Sequence, residues 1–511
     1  MVRLTFLSSF CLFLLQNTFC QKHDYNWIVG YDSSNPPVGW WGVSQINFEM
    51  ETVSVSYLEE YSMDLMFTGF TMSDGAGKLL FYSNGCFIHN SQHELIENGD
   101  NLNPGNASDE WCGLENFMAY RVMQGALVLP PQDNEEQYRV FHLAVLQEDS
   151  DLRLYANKLY YTEIDMAANN GLGKVTDKNH LLVEDTLCYG QLTAVRHGNG
   201  RDWWILMPES SSNRYYKFML TPQGISGPFT QSIGKVWDFK DWSGQAHFTP
   251  DGTKYLRFDT FNNLNVFDFD RCTGELSNHR YVDVGFSSDS VVAGGIAISP
   301  NARFVYVSTD WYVWQFDLEA SDIKASQVLV ATIDWFQSPP QFYTFFYAGQ
   351  LAPDGKIYIN CSSSTDYMHI VHSPNEQGLS CNLEQHGLKL AGLNAFTMPH
   401  FPNYRLFDVH GSLCDTLGID TLPMVGIPPI NSGQVVSISP NPGSDEITFS
   451  IPAPAQGQWI LTDISSQNSR IGNWEGQTMK LKVEDLPPGL YLFQLRAKNG
   501  ELFVGKVVVQ R

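Results

Sequence analysis

From about Tyr25 to Asp408 the apolar residues come in short runs broken by turn formers. Lys78-Leu-Leu-Phe-Tyr82, Tyr138-Arg-Val-Phe-His142 and Asp202-Trp-Trp-Ile-Leu206 are rich in aromatic or aliphatic residues and stop at Gly, Pro, Asn or Ser. These are strand signals. No long stretch carries apolar residues at helical spacing.

One turn-and-strand unit recurs. Thr249-Pro-Asp-Gly-Thr-Lys-Tyr255, Ser299-Pro-Asn-Ala-Arg-Phe-Val305 and Ala352-Pro-Asp-Gly-Lys-Ile-Tyr358 resemble one another, with their prolines 50 and 53 residues apart. Proline fixes φ, and Asp-Gly permits a tight reversal into the next strand. Two copies continue into a second aromatic strand, Asn265-Val-Phe-Asp-Phe-Asp270 and Val313-Trp-Gln-Phe-Asp317. Earlier units, Gly77–Tyr82, Leu159–Asp165 and Tyr215–Leu220, are more diverged. Paired strands at a period of roughly 40–50 residues indicate propeller blades, and roughly 385 residues make about seven of them. Radial closure hides strand edges. It also requires the two ends to meet, so the strand at Trp27-Ile-Val29 is expected to share the last blade.

Gly411, Gly418, Pro423, Gly426, Pro428 and Pro429 mark a linker over residues 411–431. A smaller all-β domain follows over residues 432–511. Its strand count and lengths suit a β-sandwich of immunoglobulin type. The expected fold class is therefore all-β, a propeller over residues 21–410 followed by a small sandwich.

The chain has 511 residues, 31 Lys+Arg against 55 Asp+Glu, and a formal net charge of -24. From Gly433 onward, seven basic residues balance seven acidic ones, so the acidic excess lies upstream. This balance argues against a nucleic-acid partner, which needs clustered Lys and Arg. Residues 1–20 read as a secretory signal, with Arg3 before an apolar stretch Leu4–Leu15 and cleavage expected after Cys20. The alternatives are a buried first strand and lipidation at Cys20, the latter behind a poor lipobox, Asn17-Thr18-Phe19. No other segment approaches the roughly 20 apolar residues of a membrane-spanning helix.

Export permits disulfides. Beyond the leader stand Cys86, Cys112, Cys188, Cys272, Cys361, Cys381 and Cys414, an odd number that leaves one or more free. Proximity in sequence suggests Cys86–Cys112 and Cys361–Cys381. No CxxC or Cys/His zinc spacing occurs, and no metal or cofactor is expected.

Chemistry-bearing motifs are scarce. His93-Glu-Leu-Ile-Glu97 lacks the second histidine of HExxH, and there is no GxSxG elbow or Walker loop. Asp268 and Asp270 lack the ligand spacing of a calcium loop and read as strand-end solvation. Arg196, His197, Arg201 and Asp202 form the densest polar group. They are either a site with His197 as acid or base, or a blade turn at Asn199-Gly200 in which an arginine pairs with a carboxylate and Trp203 packs between blades. Trp311, Tyr312 and Trp314 share one expected strand, with Trp311 and Val313 facing away from Tyr312 and Trp314. Trp237 and Trp242 flank a charged turn. Such rings either pack between blades or stack on sugars.

The C-terminal region resembles the type A sorting domain of cargo for the type IX secretion system. The resemblance rests on Ser439-Pro-Asn-Pro442, Leu486-Pro-Pro-Gly-Leu-Tyr491 and Gly505-Lys-Val-Val-Val509. It implies export across the outer membrane of Bacteroidetes-type bacteria, with Pro488, Gly489, Leu490, Tyr491, Gly505 and Lys506 in the sorting signal and the secretion machinery as partner. Upstream, Tyr160–Met166, Asn170–Val175, Leu192–Trp203, Asp268–Ser277 and Met398-Pro-His-Phe-Pro402 look like the propellers joined to that domain, although His400 stands where an Asn or similar residue is expected. That resemblance implies a fold and no activity.

Three functions follow as expectations. The first is a secreted or surface-displayed propeller that binds a glycan or protein, as an adhesion module does, through residues such as Trp311, Tyr312, Trp314, Arg196 and His197. The second is an extracellular hydrolase or lyase using channel carboxylates. The third is a structural component of the cell surface.

Overall fold

The computed structural model describes residues 21–31, 41–50, 52–58, 63–113, 119–132, 136–147, 154–237, 244–285, 293–338, 341–417, 436–463, 469–497 and 502–510. The expected leader over residues 1–20, Trp242 and most of the expected linker lie outside them. The chain divides into two compact units, residues 1–420 and 421–511.

The first unit is a β-propeller. Five four-stranded and two three-stranded antiparallel sheets follow in chain order and give seven blades. Within the four-stranded blades the first strand is almost wholly buried: Ala126–Leu129, Thr193–Arg196, Gln245–Phe248, Gly294–Ile298 and Phe346–Leu351. Outer strands are more exposed: Gly224–Ser232 has no buried residue, and Leu276–Val282 is buried only at its two ends. The gradient fits first strands lining a central axis and last strands meeting water.

The repeated turns share one design. Asp251 Oδ1 accepts the Thr253 N–H at 3.0 Å, Asn301 Oδ1 that of Arg303 at 3.2 Å, and Asp354 Oδ1 that of Lys356 at 3.1 Å. The following residue is left-handed in each copy: Gly252 (φ +72°), Ala302 (φ +61°) and Gly355 (φ +78°). Glycine adopts this conformation freely, whereas alanine does so at a cost.

Closure differs from expectation. Trp27-Ile-Val29 does not join the last blade. Its strand, Asn26–Gly30, pairs with Val43–Asn47, which pairs with Ser54–Leu58, so the N-terminus builds a three-stranded blade of its own. The last blade already holds four strands. The seam is closed by packing and a few cross-blade hydrogen bonds. Trp27 lies edge-on to Tyr358 at 5.7 Å and stacks on Phe401 at 6.1 Å, and Ser44 Oγ accepts the N–H groups of Ala391 and Gly392.

Residues 395–406 then fill the centre of the ring. His400 lies between Gln124 Nε2 (2.9 Å) and Thr193 Oγ1 (3.2 Å), with the His247 ring 5.1 Å away. The Tyr404 hydroxyl donates to Val128 O at 2.8 Å, and Arg405 makes a two-pronged ion pair with Asp24 at 2.6 and 2.7 Å. Past this plug, Val409 N–H donates to Gly198 O at 2.7 Å, and Cys414 forms a disulfide with Cys272.

Of the two disulfides expected, Cys86–Cys112 forms. Cys361 and Cys381 do not pair. Both thiols are buried, and each has its own surroundings: Cys361 Sγ lies 3.4 Å from Tyr367 O and 3.5 Å from His369 Nε2, while Cys381 interacts with Tyr306. Cys188 is also buried and in neither disulfide. The two disulfides fit an oxidising compartment.

The second unit is one curled five-stranded sheet rather than two separate sheets. Glu446–Asp463 pairs along its length with Ser469–Lys482. On its other edge, its first half takes Ser437–Ser439 and its second half takes Gly489–Ala497, which pairs in turn with Leu502–Val509. The register breaks between Ser450 and Ala455. The curl lets Phe449 of the first half stack on Phe493 at 4.2 Å, with Trp459 and Trp474 alongside in the core.

Candidate functional site

The polar group at Arg196 lies in the turn between the strands Thr193–Arg196 and Trp203–Pro208. Arg196 is buried, lies over the Trp203 ring at 4.7 Å, and donates to Gly200 O (2.8 Å), Gln21 Oε1 (2.9 Å) and Tyr404 O (3.0 Å). Burial and nearby Arg271 pull its pKa down to about 10. Arg201, not Arg196, holds the carboxylate of Asp202, at 2.7 Å. His197 Nε2 donates to Cys272 O, and its Nδ1 accepts the Asn199 N–H, both at 3.0 Å. Gly200 is left-handed (φ +76°), as a tight turn needs. Gly198 serves a different purpose. A Cβ there would lie 2.5 Å from Cys414 Sγ and 2.8 Å from Cys272 Sγ, so its missing side chain makes room for the disulfide.

The aromatic strand sits in the sixth blade. Val313 is buried; Tyr312 and Trp314 are half-buried on the other face, with ring centroids 6.0 Å apart. Trp311 packs half-buried on a core that also takes Tyr343 and Phe345. Trp237 is buried, with the Arg257 guanidinium 3.4 Å from its ring centroid.

Tyr343 and Phe345 belong to a connection that sequence reasoning missed. Between the sixth blade and the strand Phe346–Leu351 lies a short hairpin, Gln337–Ser338 with Phe342–Tyr343. Around it, Trp335 is 56% exposed, Phe342 40% and Phe336 36%. Side chains seldom leave this much ring surface in water within one short segment. The rings are braced from behind. Trp335 meets Tyr343 edge-on at 5.6 Å, and Phe336 stacks on His386 at 4.2 Å and meets Tyr367 at 5.5 Å. His386 Nε2 lies 2.8 Å from Asp334 Oδ2. Burial works against the Asp334 carboxylate, but the Phe336 N–H and the His386 ring hold its pKa below the usual value. Trp335 is left-handed (φ +61°), an uncommon state for a bulky residue outside functional or tightly constrained positions. The signal was in the sequence: six aromatics flank Pro339-Pro340 between Asp334 and Tyr347, in the connection from the sixth blade to the seventh.

The three C-terminal motifs, apart in sequence, meet on the last strand. Gly489 pairs with Val509, Leu490 with Val508, Tyr491 with Val507 and Phe493 with Gly505, so the second and third motifs form the terminal hairpin. The Tyr491 hydroxyl donates to Pro487 O at 2.8 Å, behind Pro488. The first motif clamps this hairpin: Asn441 Nδ2 donates to Lys506 O, and Asn441 Oδ1 accepts the Val508 N–H, both at 2.7 Å. A Cβ on Gly505 would lie 2.4 Å from Ile438 Cδ1, so this position admits the neighbouring side chain.

Asp408, His410 and Asp415 come close enough to share a cation, but exposed acidic groups often do so without one, and Asp415 Oδ2 accepts the Gly411 N–H at 2.8 Å. Among the described residues no helix is long and apolar enough to cross a membrane.

The chain matches no protein-family model. It matches no curated protein. Solved structures are similar at low identity. A functionally unknown protein from Desulfotomaculum acetoxidans has a TM-score of 0.37 at 14% identity, over 73% of this chain and 98% of that one. PorZ, an essential bacterial surface component of the type IX secretion system of Porphyromonas gingivalis, has a TM-score of 0.36 at 12% identity; the match covers 92% of this chain and 63% of PorZ. XC5397 from Xanthomonas campestris, a gluconolactonase, has a TM-score of 0.28 at 13% identity, over 65% of this chain and 92% of that one.

Proposed function

We propose that this protein is an extracellular or surface-displayed β-propeller that binds carbohydrate, exported by the type IX route through its C-terminal sheet. The observation that carries the binding function is the exposed aromatic surface of Trp335, Phe336 and Phe342. Flat rings offer an apolar face to the C–H side of a sugar, and the rim of Asp334, Gln337, Gln341 and His386 offers partners to its hydroxyls. Bracing by Tyr343, Tyr367 and His386 limits the side-chain entropy lost on binding. Export is supported by the three C-terminal motifs joined on one hairpin, and by the two disulfides.

Binding is favoured over hydrolysis by the chemistry of the central channel. Glycoside hydrolysis needs two carboxyl groups flanking the bond. The cavity at the channel mouth is lined by a single carboxylate, Asp24, which Arg405 holds. Inside, burial keeps His247 and His400 neutral. The test is a glycan array probed with the mature chain, with the captured glycans followed for cleavage. Saturable capture without cleavage is the expected result. Cleavage would establish a hydrolase or lyase, and no capture would favour a structural role at the cell surface.

A further inference from the structure

The propeller has a second feature, at the other mouth of its channel from the Trp335 connection. The strand Phe346–Leu351 begins where that connection ends and finishes at the Pro353 turn, so the two lie at opposite ends of the strand. At the Pro353 end is a cavity of about 260 Å³. The recurring turns of three consecutive blades line it at Pro250, Pro300 and Pro353, together with Phe401, Asn403 and Arg405 of the central plug and residues of the inner strands.

Its polar groups are few and fixed. Asn403 Nδ2 donates to Pro250 O at 2.7 Å, and its Oδ1 accepts the Arg405 N–H at 3.0 Å. Asp24 and Arg405 neutralise each other. Gln350 is 5% exposed. His247 is 8% exposed, and its buried Nε2 has no hydrogen-bond partner. Leaving such a group unpaired is costly, and a ligand hydroxyl would relieve it. Burial pushes the His247 pKa down to about 4, so the ring enters any contact uncharged. The lining thus carries no free charge, and the propeller's acidity repels anions at long range. Proline rings and Phe401 add flat apolar surface. An uncharged, ring-shaped ligand carrying hydroxyls suits all of these features, and the volume, just under the usual range for ligand sites, limits it to a single ring.

We infer that this cavity binds the terminal ring of an uncharged carbohydrate, with His247 and Gln350 bonding its hydroxyls and the three proline turns covering its apolar face. This site is separate from the Trp335 surface and does not depend on it.

The test uses the mature chain and isothermal titration with glucose, galactose, mannose and N-acetylglucosamine, with glucuronate and glucose 6-phosphate as charged probes. At least one uncharged sugar should bind saturably and more tightly than either charged probe. His247→Gln should weaken it at least tenfold. Gly355→Asn should do the same at unchanged melting temperature: a Cβ at Gly355 meets nothing within 4 Å, and asparagine tolerates the left-handed backbone there. Trp335→Ala should leave this binding unaltered, which separates the cavity from the aromatic surface. Failure of every uncharged sugar to bind, tighter binding of a charged probe, or binding indifferent to both cavity variants would overturn the proposal.

Discussion

Replacing both Cys272 and Cys414 by serine should destabilise the propeller more than replacing Cys86 and Cys112, although each pair removes one disulfide. The reason is loop length. Cys272–Cys414 spans 142 residues and Cys86–Cys112 spans 26. In the chain-entropy account, closing the longer loop removes ~17 cal/mol/K from the unfolded chain, or about 5 kcal/mol at 25 °C. The shorter loop gives about 3.5 kcal/mol, so the expected difference is ~1.5 kcal/mol. The native side adds to it. The longer disulfide pins the segment that leaves the central plug, which is otherwise held by Arg271 bonding Phe407 O and by Val409 bonding Gly198 O. Urea unfolding of the wild type and both serine pairs, followed by tryptophan fluorescence, measures the difference. Limited proteolysis should cut near residues 407–417 first in the Cys272/Cys414 variant. Equal midpoints for the two variants, or a larger loss from the Cys86/Cys112 pair, would refute the reasoning.

Acid should weaken the fold before most carboxylates protonate. Burial depresses the pKa of His142 and His369 to about 3 and of His247 to about 4, and lowers that of His400 as well. Because the unfolded chain takes up these protons first, the stability is complete above the unfolded value near 6.5 and falls as pH drops below it. The loss is about 2 kcal/mol per histidine by about pH 5, read from urea midpoints against pH. Ala302→Gly should raise stability by about 1 kcal/mol, since the other two turns place glycine at this left-handed position; a lower melting temperature would contradict this. Asn441→Ala removes two hydrogen bonds to the terminal hairpin and should destabilise the second unit by about 1–2 kcal/mol. In a type IX-competent host it should also slow export, measured as unprocessed chain retained in the cells.

The sequence announced the turns more clearly than the ring's seam. Pro250, Pro300 and Pro353 could be aligned because a tight turn constrains neighbouring residues through local backbone geometry alone. Their convergence on one cavity could not be read, because it depends on how successive blades are placed around the axis. Trp27 was recognisable as closing the ring. Its packing on Phe401 could not be inferred, since that contact is distant in the chain. The same limit explains the cysteines. Cys86 and Cys112 are near neighbours in sequence, whereas Cys272 meets Cys414 only because the central plug carries the chain back to the fourth and fifth blades. His400 illustrates a third limit. Its neutrality comes from complete burial between Gln124, Thr193 and His247, which belong to three different blades. Among the aromatics, the strand at Trp311 drew attention by alternation. The more exposed rings lie in a connection, where no periodicity marks them.

The central claim is that exposed rings on the Trp335 connection hold carbohydrate. The direct measurement is the affinity of the mature wild-type chain and the Trp335→Ala/Phe342→Ala double variant for the glycan captured best on the array, alongside both melting temperatures. Affinity should fall at least tenfold while the melting temperature stays within about 2 °C, because neither ring belongs to the buried core. Undiminished affinity in a folded double variant would contradict the account.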